Sequence, residues 1–223
     1  MDVVEVTWFG LDLREPMTFF TNVAVSVFCF IFWQRLKSNE ANPSVKYWRW
    51  FMALMSTSTF VAGLAHMFFN YYGHALHFSG RLTIGFAIFM AELATIVLIR
   101  SATWRKILLV FVWVELIAFI TLLITFYALP VQESFLIVKL HVGFGMAGIV
   151  FTNHVGIYLR HKEYASKMIA LSIIISIAAG VVSSYKLSFH DWFTHHDIGH
   201  LIVLISFYFV YLGIKQKPSI TLT

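Results

Sequence analysis

The chain has 223 residues, of which 59% are hydrophobic and 12% charged, and its mean hydropathy is +0.78. A soluble domain carries roughly 25% charged residues, so this composition argues against a water-soluble enzyme and for a chain that lives in a bilayer. The net charge of +5 needs no nucleic-acid partner, because membrane topology accounts for it below. A single cysteine, Cys29, excludes an internal disulfide framework. The first 16 residues hold Asp2, Glu5, Asp12 and Glu15 against Arg14 alone. That is the opposite of the basic flank that opens a cleavable signal peptide.

Seven apolar stretches follow in chain order, at about 17–34, 48–70, 79–99, 105–128, 135–158, 167–186 and 197–214. Each is near the length of roughly 20 residues that a helix needs to cross hydrocarbon. The separators are visibly polar or helix-breaking. Arg35 to Pro43 divides the first two, Ala128-Leu129-Pro130 ends the fourth, and Arg160-His161-Lys162-Glu163 follows the fifth. The expectation is an all-α, single-domain bundle of seven transmembrane helices.

Orientation is read from lysine and arginine, which collect on the cytoplasmic side. The odd connections and the C-terminal tail hold Arg35, Lys37, Lys46, Arg49, Arg100, Arg105, Lys106, Arg160, Lys162, Lys167, Lys215 and Lys217. The other side keeps Arg14, Arg81, Lys139 and Lys186. This asymmetry puts the N-terminus outside and the C-terminus in the cytoplasm, in an integral multi-pass membrane protein.

The histidines carry the chemistry. His66 ends the second stretch, His74 and His77 fall in the next loop, His141 opens the fifth, and His190, His195, His196 and His200 surround the start of the seventh. Only His154 and His161 lie on the cytoplasmic side. His196 and His200 have an i, i+4 spacing, so on a helix their rings sit on one face, one turn apart. His66 lies at the same depth on another helix. Three imidazoles and a water form the shell of a catalytic zinc, which makes His66, His196 and His200 the candidate ligands and Zn2+ the expected ion.

Ionisable groups inside spans are functional candidates by default. Glu92 and Glu115 either serve function or are neutralised by a proton, by each other or by a basic neighbour. The hydroxyls from Ser56 to Thr59 suit bonds to their own backbone or helix packing.

With these residues in place, the chain resembles the superfamily of seven-helix membrane hydrolases that includes the alkaline ceramidases, the adiponectin and progestin receptors and the Per1-type lipid-remodelling proteins. In that superfamily zinc is held by a His at the end of helix 2 and an H-x-x-x-H pair opening helix 7, matched here by His66 and by His196 with His200. Glu15-Pro16 followed by Thr21-Asn22 is similar to the ceramidases' entry into helix 1. Two positions depart from the pattern. Ala62 stands where the family has a Ser four residues before the helix 2 His, and the nearest hydroxyls are Thr57, Ser58 and Thr59. His77 stands where the ceramidases have an Asp near the start of helix 3, and there it becomes a fourth ligand or a base. The resemblance also implies a Ca2+ site in the acidic N-terminal segment.

The first functional expectation is therefore a zinc-dependent hydrolase acting on a lipid amide or ester that arrives from the outer leaflet. Its ligands are His66, His196 and His200, its proton handlers His77 or Asp197, and its auxiliary hydroxyls Thr59 or Ser58. The second is a non-enzymatic metal-binding membrane protein, a receptor or transporter, in which His77 closes the metal shell. A third is a b-type haem protein using His141 and His154. A retinal protein fits poorly, since helix 7 has no mid-membrane lysine.

Overall fold

The computed structural model describes residues 4–37, 41–127 and 131–216, with backbone alone for residues 131–134. Asp2, Ala128-Leu129-Pro130, part of the first connection and Lys217 lie outside the described residues. The chain opens with a β-hairpin, β1 (Glu5–Trp8) and β2 (Leu11–Arg14), paired antiparallel with Glu5 opposite Arg14 and Trp8 opposite Leu11. Its two-residue loop, Phe9-Gly10, has positive φ at both positions, the backbone that matches strand twist in a tight hairpin.

Helices follow: α1 (Pro16–Arg35), α2 (Pro43–Met67), the single turn α3 (Phe69–Tyr72), α4 (His74–Ile96) and α5 (Ala102–Thr125). Then α6 (Val131–Val142), a π-helical segment (Gly143–Phe151) and α7 (Thr152–His161) run on as one rod. The bundle closes with α8 (Tyr164–Ser184) and α9 (His195–Lys215). Local sequence sets the starts. Pro16 and Pro43 occupy first helical turns, where a missing N–H costs nothing. The Asn42 side chain accepts from the Ser44 and Val45 amides, and Thr194 with Asp197 forms a capping box on α9.

Among the described residues, six helical stretches are long and apolar enough to cross a membrane: Pro16–Arg35, His74–Ile96, Ala102–Thr125, Phe135–His161, Tyr164–Ser184 and His195–Lys215. They coincide with six of the seven stretches read from the sequence. The chain is a helical bundle of membrane character. Its exterior agrees: on α5, Val110, Trp113, Val114 and Ile117 are all more than half exposed, as suits side chains facing lipid. The third helix begins earlier than the sequence suggested. Gly73, at φ +53, turns the chain so that α4 starts at His74. His74 and His77 are therefore in its first turn and not in a loop.

The interior has two apolar clusters. One joins Val25, Cys29 and Phe32 of α1, Trp48, Phe51 and Met52 of α2, Ala87, Ala91 and Ala94 of α4, and Phe207, Val210 and Tyr211 of α9. The other packs Phe89 and Ile96 of α4 on Val112, Leu116, Phe119 and Leu123 of α5. The alanines of α4 let α2 approach closely, and two α2 hydroxyls use that closeness. Ser44 donates to the Ala94 carbonyl at 2.7 Å and Ser58 to the Gly80 carbonyl at 2.8 Å.

Helices α8 and α9 meet just as closely at Gly213. A Cβ there would stand 2.8 Å from the Ala165 carbonyl oxygen and 3.0 Å from Ile169 Cγ1, whereas at Gly180 it would meet open space. Gly213→Ala is expected to destabilise the bundle by about 1–3 kcal/mol through overpacking. Gly180→Ala is expected to be neutral, or to stabilise by about 0.5–1 kcal/mol through helix propensity. Thermal unfolding of the two purified variants in detergent checks both; a Gly213→Ala midpoint equal to wild type contradicts the close contact.

Candidate metal centre

Four elements meet at one end of the bundle: the turn into α1, the end of α2, the first turn of α4 and the first two turns of α9. Each delivers at least one polar side chain, and α9 delivers three, His196, Asp197 and His200. The entry into α1 is held in an uncommon shape. Glu15 adopts left-handed backbone (φ 44, ψ 54) immediately before Pro16, a conformation costing a non-glycine residue roughly 1–2 kcal/mol. The hairpin holds it there. The Glu15 amide donates to the Val4 carbonyl at 2.9 Å, Arg14 pairs with Glu5 at 3.3 Å, and the Asp12 amide donates to the Tyr71 hydroxyl at 2.9 Å. The result aims the Glu15 carboxylate at His66, with Nδ1 and Oε2 2.5 Å apart. A charge-assisted hydrogen bond contributes roughly 1.5–3 kcal/mol, enough to offset the backbone strain.

Around His66 the other imidazoles gather. Ring centroids of His66 and His77 are 5.0 Å apart, and those of His66 and His196 are 5.5 Å apart. Two imidazoles bound tetrahedrally to one zinc at about 2.0–2.1 Å have centroids about 5 Å apart. His200 stands one turn along α9 from His196. Its Nδ1 lies 2.9 Å from Thr21 Oγ1, and that hydroxyl donates to Asp197 Oδ1 at 3.0 Å. Asp197 is fully buried, and its other oxygen accepts from the Thr194 amide and hydroxyl.

His66 and His200 thus share a pattern: Nδ1 is turned to a carboxylate, directly or through a hydroxyl, so that Nε2 is left for another partner. Metal-binding histidines are oriented in this way. The donor chemistry therefore fits a zinc ion. The positions are looser than a finished shell, because no group of three or more His, Cys, Asp or Glu side chains among the described residues is gathered for a metal ion.

The remaining candidates are placed as follows. Ser58 lies in the α2–α4 seam, bonded to Gly80 as above, and Thr59 donates to the Met55 and Ser56 carbonyls. Both hydroxyls make backbone bonds below the histidines. Asp197 caps its own helix and orients Thr21, which makes it a positioning residue. In the acidic N-terminal segment, Glu5 pairs with Arg14, Asp12 accepts from Thr7 and Glu15 faces His66. These carboxylates point to three separate partners, so the geometry lends the calcium expectation nothing. The haem expectation fares similarly. His141 Nδ1 lies 3.0 Å from Glu115 and its Nε2 3.2 Å from the Gly85 carbonyl, while His154 Nδ1 lies 3.0 Å from Ser166 Oγ. The sequence reading did not assign Glu15 and Thr21 as partners of the histidines. Glu15-Pro16 and Thr21-Asn22 were the available signal, since both flank the start of α1.

The class these features define is a helical membrane bundle with a partly buried histidine–carboxylate cluster at one end. The chain belongs to the family of unknown function DUF6962, whose model matches residues 17–219. No curated protein and no solved structure matches it.

Glu15 yields a prediction with a defined sign. Burial works against its charge, but the hydrogen bond and charge of His66, then His196 and Arg14, outweigh burial and hold its carboxyl at about 2, below the ordinary 4.5. A lowered carboxyl stabilises the fold at and above pH 4.5, and that contribution is lost as the pH falls toward 2. Glu15→Gln is expected to lower stability by about 1–3 kcal/mol near neutrality. The gap in melting temperature between wild type and variant is expected to hold down to about pH 4.5 and to narrow below it. A gap that widens in acid contradicts the assignment.

Proposed function

We propose that this chain is a zinc-dependent membrane hydrolase acting on a lipid amide or ester. In this reading it has seven spans, its N-terminus and histidine cluster on the outer side, and its C-terminus in the cytoplasm. Helix α2 supplies the seventh span. Its 25 residues measure about 37 Å at 1.5 Å each, more than the roughly 30 Å of hydrocarbon. Lys46, Arg49 and the Ser56–Thr59 run lower its apolarity without shortening it. The lysine and arginine asymmetry sets the orientation.

The observation that carries the metal reading is the shared orientation of His66 and His200, each with Nδ1 held by an acidic or hydroxyl partner. His66, His196 and His200 are the proposed ligands. A zinc ion there would supply Lewis acidity toward a carbonyl and a nucleophile available at neutral pH. Glu15 and the Thr21–Asp197 pair fix ring tautomer and direction, while His77, beside His66, takes or returns the proton of the leaving group. In this reading the lipid arrives laterally from the outer leaflet.

A second reading rests on one specific observation. His77 stands as close to His66 as a fellow ligand would, and the Ser58 and Thr59 hydroxyls are engaged elsewhere. Four histidines would close the shell, and a closed shell favours metal binding for structure, sensing or transport over hydrolysis.

Metal analysis of the purified chain tests both. Wild type is expected to hold about one zinc per chain, and a His196→Ala/His200→Ala double variant none. A metal-free wild type purified without chelator sinks the proposal. His77→Ala separates the readings: lost lipid-amide or ester hydrolysis with zinc retained supports the enzyme, whereas lost zinc supports the closed shell.

A further inference from the structure

A second polar cluster lies deeper in the bundle, apart from the histidine end, where α4, α5 and the α6–π–α7 rod meet. Glu92 of α4 is fully buried, and neither of its oxygens has a hydrogen-bond donor among the described residues. Glu115 of α5 faces the same turn of the rod, His141 to Gly145, that Glu92 packs against, and Glu115 Oε2 is likewise buried without a donor. Glu115 Oε1 lies 3.0 Å from His141 Nδ1, and His141 Nε2 reaches the Gly85 carbonyl at 3.2 Å. Phe119 stacks on the His141 ring with centroids 4.3 Å apart. The π-helical segment closes over the pair: a Cβ on Gly145 would stand 2.9 Å from Glu92 Oε1.

Buried polar atoms need partners, and these three acceptor oxygens have none unless hydrogen is added. Two ionised carboxylates so placed in an apolar interior also repel with little solvent to screen them. One proton between the two carboxyls eases both faults, because it gives two of the three oxygens a hydrogen bond and removes one of the two charges. The His141 contacts fix the rest. Its Nε2 donates to the Gly85 carbonyl, so in the neutral ring Nδ1 is bare and can only accept from Glu115 or bind a second proton. Other polar groups on neighbouring helices are accounted for. The α2 hydroxyls Ser44 and Ser58 bond to the Ala94 and Gly80 carbonyls, and on α7 His154 turns its Nδ1 to Ser166.

We propose that Glu92, Glu115 and His141 form an intramembrane proton-binding site, distinct from the histidine cluster, in which one exchangeable proton is shared by the two carboxyls. Two features support exchange over a static bond. A π-helical segment inside a span marks a place where the backbone ladder is not in its most stable form, and such segments concentrate at functional sites. A cavity of about 10 Å3 also opens between α4 and α5, lined by His74, Arg81 and Tyr127. Arg81 is one turn above Gly85, the acceptor of His141, so this cavity reaches α4 one turn from the site. The ligand is the proton itself, and the class of activity is proton binding.

Infrared spectroscopy of the purified full-length chain in detergent tests this. Wild type at neutral pH is expected to show a protonated-carboxyl C=O band that shifts to lower frequency in D2O and shifts again when all glutamates carry 13C. Glu92→Gln and Glu115→Gln are expected to lose the band, and Glu163→Gln to keep it. His141→Phe is expected to move the band, since Glu115 loses its partner. The glutamate-labelled wild type keeps the test decisive if a Glu92 variant does not fold. No protonated-glutamate band in wild type, a band that ignores D2O, or one unchanged in both Gln variants overturns the proposal. None of these outcomes depends on zinc content, so this inference and the hydrolase reading fail independently.

Discussion

Water is absent from the apolar middle of a bundle, so every polar group there has to be matched by another part of the protein. In this chain a large share of the matching runs along α4. At one end its first turn brings His77 beside His66. Its Gly80 carbonyl near that end and its Ala94 carbonyl near the other receive hydroxyls from α2. Glu92 faces the same turn of the rod as Glu115, and Thr95 beside Ala94 lies 3.5 Å from His154 Nε2. The small residues of α4 make this possible, since Gly85, Ala87, Ala91 and Ala94 admit neighbours that larger side chains would hold off. Packing and polar chemistry therefore share one constraint: close approach to α4 both builds the core and sets the partners of its buried groups.

The histidine cluster depends on a different device, the hairpin. Without it, Glu15 would have no reason to adopt left-handed backbone, and its carboxylate would not face His66. The hairpin is anchored by contacts that use little sequence: an amide of Asp12 on the Tyr71 hydroxyl, and Arg14 stacked 4.7 Å over the Phe69 ring. Both anchors belong to α3, the single turn between α2 and α4. That turn thus ties the N-terminal segment to the same end of the bundle as His66 and His77.

Much of the fold was legible because apolar length is a strong signal. Long stretches bounded by Arg-Lys runs or prolines have few alternatives to helices, and six of the seven recur as helices with apolar length to span a membrane. Helix starts were harder. Gly73 looks like an ordinary loop glycine, but its backbone lets α4 begin at His74, which carries His77 into a helix beside His66. The hairpin left almost no trace, as its strands are four residues each and Phe9-Gly10 is not a common turn pair. The i, i+4 histidines were legible from spacing alone. The carboxylate partner of His66 was not, because Glu15 reaches it across 51 positions of sequence through a strained turn. The π-helical segment was invisible for a similar reason: Gly143, Gly145 and Gly148 suggest close packing, and nothing in their spacing distinguishes a π from an α ladder. Glu92 and Glu115 were visible as buried charges, but their pairing depends on the rotation of α4 against α5, which periodicity does not fix.

The histidine cluster and the carboxyl pair stand at different depths and rest on separate contacts, and the proposed function rests on the first. Zinc-edge X-ray absorption on the purified, zinc-loaded chain examines it most directly. The expected spectrum shows three or four imidazole nitrogens at about 2.0–2.1 Å, reduced in a His66→Ala variant. A chain that takes up no zinc, or a zinc shell without imidazole, contradicts the assignment of His66, His196 and His200.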